Sequence, residues 1–170
     1  MFGYFNHCVL FRFWWYSLDH RGVPGAPGRV VNLFKSDDNE EKVWGVAYEI
    51  DDEAQTMKHL DHREKGGYSQ HIIQFHPAHK GDNSEEEDII APPQKGYSVV
   101  VYVGDESHPQ YAKPSSLQEM AKTICYSQGP SGLNKDYLYN LAAALRQIHV
   151  HDDHVFELEK AVKMEDDKTS

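Results

Sequence analysis

Glu64 is the residue whose position first calls for explanation. Ala54, Met57 and Leu60 recur at helical spacing, with Asp51 or Asp52 ahead of them as a cap. If that helix persists, Glu64 lies four residues after Leu60 and seven after Met57, which places a carboxylate on the apolar face. It also falls at the helix C-terminus, where the macrodipole disfavours negative charge. Both effects raise a carboxyl pKa toward the range useful to a general base near neutrality. Gly66-Gly67 follows, a stretch that lets backbone approach a ligand closely and present its amides. The same spacing leaves a plainer role open, in which Arg63 and Lys65 pair with Glu64 at the surface.

A second cluster is His149, His151, Asp153 and His154, in the string His-Val-His-Asp-Asp-His. Neutral imidazoles and a carboxylate at such spacing can hold zinc and acidify a bound water. The string matches the His-x-His-x-Asp-His of metallo-β-lactamase-type hydrolases. That chemistry needs further His and Asp ligands well downstream, and residues 155–170 contain no histidine. The alternative is a His-rich loop entering a last helix, with Asp152 or Asp153 as its cap. Ser17, Ser131 and Cys125 lack the flanking signatures of a nucleophile. Cys125 sits on an apolar helical stripe and reads as core. Tyr48, Tyr102 and Tyr137 read as half-buried packing residues; Tyr137, in the first turn of a helix, can instead point its hydroxyl into a cleft.

These side chains need elements to position them. Arg29 to Phe34 and Val43 to Ile50 are β-branched and aromatic runs flanking Ser36-Asp37-Asp38-Asn39, which predicts two strands and a connecting loop. Gln70 to His76 predicts a strand. Tyr97 to Val103 predicts another, rich enough in valine to be central. Between them Lys80 to Gln94 is an acidic, proline-ended loop. The last third reads as helical. Ser116 and Glu119 form a capping-box pattern ahead of Leu117, Ala121, Ile124 and Cys125. Gly129-Pro130-Ser131-Gly132 is a turn. Leu138, Leu141, Ala142, Leu145 and Ile148 follow an Asn134 start, and a final helix runs from Asp153 with Val155, Leu158 and Val162 inward. Strands first and helices later predict an α+β fold with a compact mixed sheet or small barrel.

The 170-residue length fits one domain, here residues 1–162, with 163–170 as a frayed tail. Apolar residues at 39% can form a core, which argues against wholesale disorder. The chain holds 27 acidic and 17 basic residues, a net charge of −10, and no Lys/Arg cluster, which argues against nucleic acid as a partner. Two cysteines are too few for a disulfide framework and suit a reducing compartment. Met1 to Leu18 is rich in aromatics but lacks the basic start and small-residue cleavage site of a signal peptide. No apolar run reaches the roughly 20 residues of a membrane helix. The expectation is a cytoplasmic protein with no membrane partner.

Several blocks together resemble one family. They are Asp19-His20-Arg21-Gly22-Val23-Pro24-Gly25, Gly28-Arg29-Val30-Val31, Val43-Trp44-Gly45-Val46-Ala47-Tyr48 and Leu60-Asp61-His62-Arg63-Glu64-Lys65-Gly66-Gly67-Tyr68. Gly129-Pro130-Ser131-Gly132, Tyr137-Leu138 and His154-Val155-Phe156-Glu157-Leu158-Glu159-Lys160 complete the set. The chain resembles the ChaC-type, glutathione-specific γ-glutamylcyclotransferases from Arg12 to Val162. The resemblance implies a small mixed β-barrel flanked by helices. It also implies cleavage of glutathione, a small-molecule partner, to 5-oxoproline and cysteinylglycine without metal or cofactor. The family's catalytic glutamate falls on Glu64, and Tyr137 matches a tyrosine that contacts substrate. Gly3 and Tyr4 match the start of a Gly-Tyr-Gly-Ser-Leu loop whose backbone grips the γ-glutamyl group. Here Gly3-Tyr4 continues into Phe5-Asn6-His7-Cys8, and the stretch up to Arg12-Phe13-Trp14 is shorter than the family pattern. Two rival functions follow: a binding or interaction protein of the same fold with impaired catalysis, and a zinc hydrolase using His149, His151 and His154.

Overall fold

The computed structural model describes residues 1–6, 9–35, 42–63, 67–78 and 96–168. Its contacts divide the chain into two compact units, one formed by Met1–Leu10 and Leu33–Asp105, the other by Phe11–Asn32 and Glu106–Ser170.

The first unit is built on a four-stranded sheet. Its strands are β1 (Phe2–Asn6), β4 (Lys42–Val46), β5 (Tyr68–Pro77) and β6 (Tyr97–Gly104), in the order β4-β1-β5-β6. Every pairing in it is antiparallel, with Tyr4 opposite both Trp44 and His76, and Ile72 opposite Val100. Period-2 alternation sends Ile73 and Phe75 of β5 inward, where they join Phe5 and Val103 in a core flanked by Leu33, Val43, Val99 and Val101. The opposite face carries an aromatic ladder: Phe2 stacks on Trp44 at 5.5 Å, and Tyr4 meets Trp44 at 4.9 Å and His76 at 5.4 Å. Helix α1 (Glu53–Arg63) begins at Asp52, whose carboxylate accepts the Gln55 N–H at 3.0 Å. Of its expected apolar stripe, Met57 and Leu60 are half-buried and Ala54 is exposed.

The second unit holds the helices. Strands β2 (Val9–Ser17) and β3 (Gly28–Lys35) pair with each other and run from one unit into the other. Phe13, Trp15 and Ser17 point inward from β2. The Tyr16 N–H donates to Gln110 O and the Ala112 N–H to Trp14 O, both at 2.8 Å, so residues 110–112 line a second edge of β2. Helix α2 (Leu117–Tyr126) starts at the Ser116–Glu119 capping box and buries Met120, Ala121, Ile124 and Cys125. The short hairpin β7 (Gln128–Gly129) and β8 (Gly132–Leu133) leads directly into α3 (Asn134–Gln147), which buries Leu138, Ala142 and Leu145. Asp152 caps α4 (Asp153–Asp166), accepting the Val155 N–H at 2.9 Å.

The α+β class is as the sequence predicts. Several points differ. Among the described residues the strands form open sheets, β4-β1-β5-β6 and β2-β3 apart from a two-residue hairpin, and not a closed barrel. Among the described residues strand β6 is an edge, not a central strand: Val99, Val101 and Val103 line the core side while Val100 is 41% exposed. Helix α4 continues through Asp166, past Lys163 where fraying was expected, because Glu165 is buried under ion pairing with Lys168 at 2.7 Å. Residues 36–39 and 80–94, expected to be loops, lie outside the described residues. No helix among those described is long and apolar enough to cross a membrane.

Candidate functional site

In the second unit the hairpin β7–β8 delivers the chain into α3, and α3 presents Tyr137 in its first turn. The half-buried Tyr137 ring meets Phe13 edge-on, with centroids 5.9 Å apart and planes at 71°. The Arg21 guanidinium lies over the same ring at 5.7 Å, while its Nη1 donates to Leu133 O at 3.2 Å. Burial raises the Tyr137 pKa, and a hydrogen bond with the Val31 backbone and the nearby Arg21 charge act in the opposite sense. Tyr137 is thus a neutral hydroxyl held between an aromatic edge and a cation.

Around it the turn Asp19–Gly22 is fixed by Ser17, whose Oγ accepts the Arg21 N–H at 2.9 Å. The Ser131 N–H donates to His20 O at 2.9 Å, and His20 Nδ1 lies 3.2 Å from Ser131 Oγ. Arg29 is buried, and desolvation lowers its pKa even with Tyr16 and Glu119 nearby. Its Nη1 donates to Phe13 O at 3.0 Å.

The first unit contains the remaining expected residues. Glu64 and Gly66 lie outside the described residues. Gly67 is described: its φ of 91° is a left-handed conformation suited to glycine, and its carbonyl accepts the Asp105 N–H at 2.9 Å. Gly3 lies in β1 between Gly45 and Pro77. A Cβ there would fall 2.1 Å from His76 O and 2.8 Å from the Phe75 ring, so Gly3 is required by the close approach of β1 and β5. Tyr4 is held by Trp44, by His76 and by Lys42, whose Nζ stands 4.8 Å over its ring. Gly3 and Tyr4 pair with the C-terminal end of β5, and Gly67 precedes its N-terminal end. At 3.2–3.4 Å per residue the two ends are roughly 30 Å apart, so the structure does not gather these three residues into one cluster.

The histidine string does different work from the zinc chemistry considered for it. His154 Nε2 accepts the Phe13 N–H at 3.1 Å, and burial lowers its pKa to about 4, with Arg12 adding to the effect. His151 pairs with Asp153 at 2.9 Å on the exposed surface. Among the described residues no three His, Cys, Asp or Glu side chains gather as a metal site requires. Asp152 is the helix cap that the alternative reading expected. Cys125 is buried and free, as its helical stripe implied, and burial raises its thiol pKa.

Sequence reasoning passed over the groups that surround Tyr137. Phe13, Arg21 and Val31 lie more than a hundred residues away along the chain, and only the packing of α3 on β2 and β3 brings them to it. The recurrence of Arg21 and Val31 within family-like blocks was the available signal.

Comparison with known proteins gives a consistent result. A family profile described as ChaC-like protein matches residues 4–165. The chain is 37% identical over 153 residues to "Gamma-glutamylcyclotransferase 2-3" of Arabidopsis thaliana, covering 86% of this chain and 71% of that protein. It is 35% identical over 173 residues to the "Glutathione-specific gamma-glutamylcyclotransferase" of Schizosaccharomyces pombe, covering 93% and 80%. A crystal structure of a yeast γ-glutamylcyclotransferase specific to glutathione superposes with a TM-score of 0.80 at 25% identity, covering 96% of this chain and 87% of that one.

Proposed function

The chain belongs to the ChaC-like family, and from that membership we propose that it cleaves glutathione to 5-oxoproline and cysteinylglycine. It is a lyase of the glutathione-specific γ-glutamylcyclotransferase class. The observation that carries this reading is the string Arg63-Glu64-Lys65-Gly66-Gly67-Tyr68, kept intact in a chain matched from residue 4 to residue 165.

The chemistry suits one carboxylate. The α-amine of the γ-glutamyl group attacks its own γ-amide carbonyl and closes a five-membered ring. The new C–N bond makes the lactam, and the old C–N bond breaks to release the cysteinyl nitrogen. The nucleophile is already tethered, so proximity supplies much of the rate. Glu64 takes a proton from the attacking ammonium and returns it to the departing nitrogen, acting as base and then as acid. Tyr137 contacts the substrate from the first turn of α3. Gly66 and Gly67 offer backbone amides to the carbonyl oxygen as it gains charge; Gly3 and Tyr4, paired with the far end of β5, stand too far from Gly67 to grip the same γ-glutamyl group. Residues 1–162 act as one catalytic domain in this reading, since the family match runs through both units. The reaction belongs in the cytoplasm, where thiols such as Cys125 stay reduced.

The test is incubation with reduced glutathione and mass-spectrometric detection of 5-oxoproline and cysteinylglycine in equal amounts. Glu64→Gln keeps the size of the side chain but cannot accept the proton, and its turnover falls at least a hundredfold with an unchanged circular dichroism spectrum. Turnover within a few-fold of the parent assigns the base elsewhere.

A further inference from the structure

We propose that Asn134 is a positioning residue for Tyr137, acting by locking the first residue of α3 onto the backbone of β3. The inference rests on the reading of Tyr137 as a substrate contact and extends it to the group that aims it.

Asn134 is completely buried. Burying a carboxamide is unfavourable unless both its ends are satisfied. Here Oδ1 accepts the Arg29 N–H at 2.6 Å and Nδ2 donates to Arg29 O at 2.8 Å. The side chain therefore repeats the donor–acceptor pair that a neighbouring strand would offer. It is not a helix cap: the cap position is Leu133, which makes no side-chain capping bond. The backbone N–H of Asn134 donates to Ser127 O at 2.9 Å, which anchors the same residue to the end of α2.

Tyr137 lies three residues further, on the same side of α3. Its hydroxyl is hydrogen-bonded with the backbone of Val31, two residues beyond Arg29. In a strand, residues two apart present their backbone groups to the same edge. Arg29–Asn134 and Val31–Tyr137 are therefore successive rungs between one edge of β3 and one side of α3. The first rung has no freedom: it closes two bonds around a single residue, and a Cβ on Gly28 would fall 2.8 Å from Asn134 Oδ1. The second rung carries the phenol. Without the first, the start of α3 can slide along β3 and the Tyr137 hydroxyl leaves its place beside Val31 and Arg21.

A double-mutant cycle on kcat/KM for glutathione tests this, with Asn134→Ala, Tyr137→Phe and the double variant measured below the melting transition of each. Asn134→Ala and Tyr137→Phe each lower kcat/KM about tenfold, chiefly through KM. The double variant is no slower than Tyr137→Phe. Asn134→Ala lowers the melting temperature equally in both backgrounds. Leu145→Ala, a buried α3 residue away from this turn, lowers the melting temperature but leaves kcat/KM at the parent value. Where Asn134→Ala does not fold, Asn134→Asp replaces it in the cycle, since it keeps the acceptor and loses the donor when ionised. A 13C-tyrosine spectrum gives a readout independent of turnover: the Tyr137 Cζ signal, assigned by its loss in Tyr137→Phe, moves in the Asn134 variant and not in Leu145→Ala. Multiplying losses in the cycle, or an unmoved Tyr137 signal, overturns the proposal. A Tyr137→Phe variant with parent kcat/KM overturns the reading of Tyr137 as a substrate contact, and the positioning role with it.

Discussion

His154 spends its Nε2 lone pair on the Phe13 N–H, and this makes the fold sensitive to acid. Its pKa falls from 6.5 to about 4 on folding, chiefly through burial. A group whose folded pKa is lowered binds its proton in the unfolded chain first. The stability it contributes is therefore complete above pH 6.5 and is lost as the pH falls from 6.5 toward 4. The full loss is on the order of 3 kcal/mol. His154→Gln keeps an acceptor but does not titrate, so its melting temperature should fall less than the parent's between pH 7 and pH 4.5. Parallel curves for the two proteins would remove His154 from the account. This residue also shows what a sequence conceals. The string His149 to His154 attracted a zinc reading by its spacing, while the partner that occupies His154 lies on β2 at the other end of the chain. Gly3 is similar: its family position suggested a ligand, and the constraint in the structure is the His76 carbonyl 2.1 Å from where a side chain would begin. Helix periodicity and a specific flanking string both point to Glu64, which lies outside the described residues.

Among the elements, those with local instructions were the legible ones. Ser116 and Glu119 announce the start of α2, and both halves of the capping box form: Ser116 Oγ accepts the Glu119 N–H at 3.3 Å, and Glu119 accepts the Ser116 N–H at 3.0 Å. The Ser116 hydroxyl, donating to the Glu119 carboxylate at 2.8 Å, and then the Ser116 N–H hold that carboxyl below its usual pKa. Ser116→Ala should cost about 1 kcal/mol in urea denaturation with an unchanged m-value. A change below about 0.3 kcal/mol would mean that α2 is held by its buried face alone. Elements whose place depends on distant partners were harder to read. Strands β1 and β2 hide in an aromatic run that is apolar on both faces: β1 points Phe5 into the core and Phe2 and Tyr4 into the ladder on Trp44. With apolar residues on both faces, the period-2 contrast that marks a half-exposed strand is absent. Strand β6 is the converse, a valine run that reads as central and lies at an edge, because its order in the sheet is fixed by pairing with β5.

At the scale of the whole molecule, the N-terminus should limit turnover. Where the family pattern turns into a Gly-Ser-Leu loop, β1 stays in the sheet: Phe5 pairs with Val43 and Asn6 with Lys42. Phe5 is 7% exposed and packs with Ile73, Phe75 and Val103. Its backbone is thus committed to a ladder and its side chain to a core. A glycine loop can bring several N–H groups to one carboxylate because no side chain intervenes. A paired strand cannot. Losing a few such charge-assisted bonds, each about 1.5–3 kcal/mol, lowers kcat/KM by several orders of magnitude. The chain should therefore turn glutathione over slowly, and a single Phe5→Gly change should not rescue it, since that change removes a core side chain at a cost of roughly 3–5 kcal/mol. Rescue requires inserting the family-like Gly-Ser-Leu loop with its following segment, so that the sheet keeps Phe5 or an equivalent while the loop supplies donors. The inserted version should exceed the present chain in kcat/KM by at least a hundredfold, with most of the gain in KM. Equal kcat/KM for the two would show that this molecule grips the γ-glutamyl group without the loop.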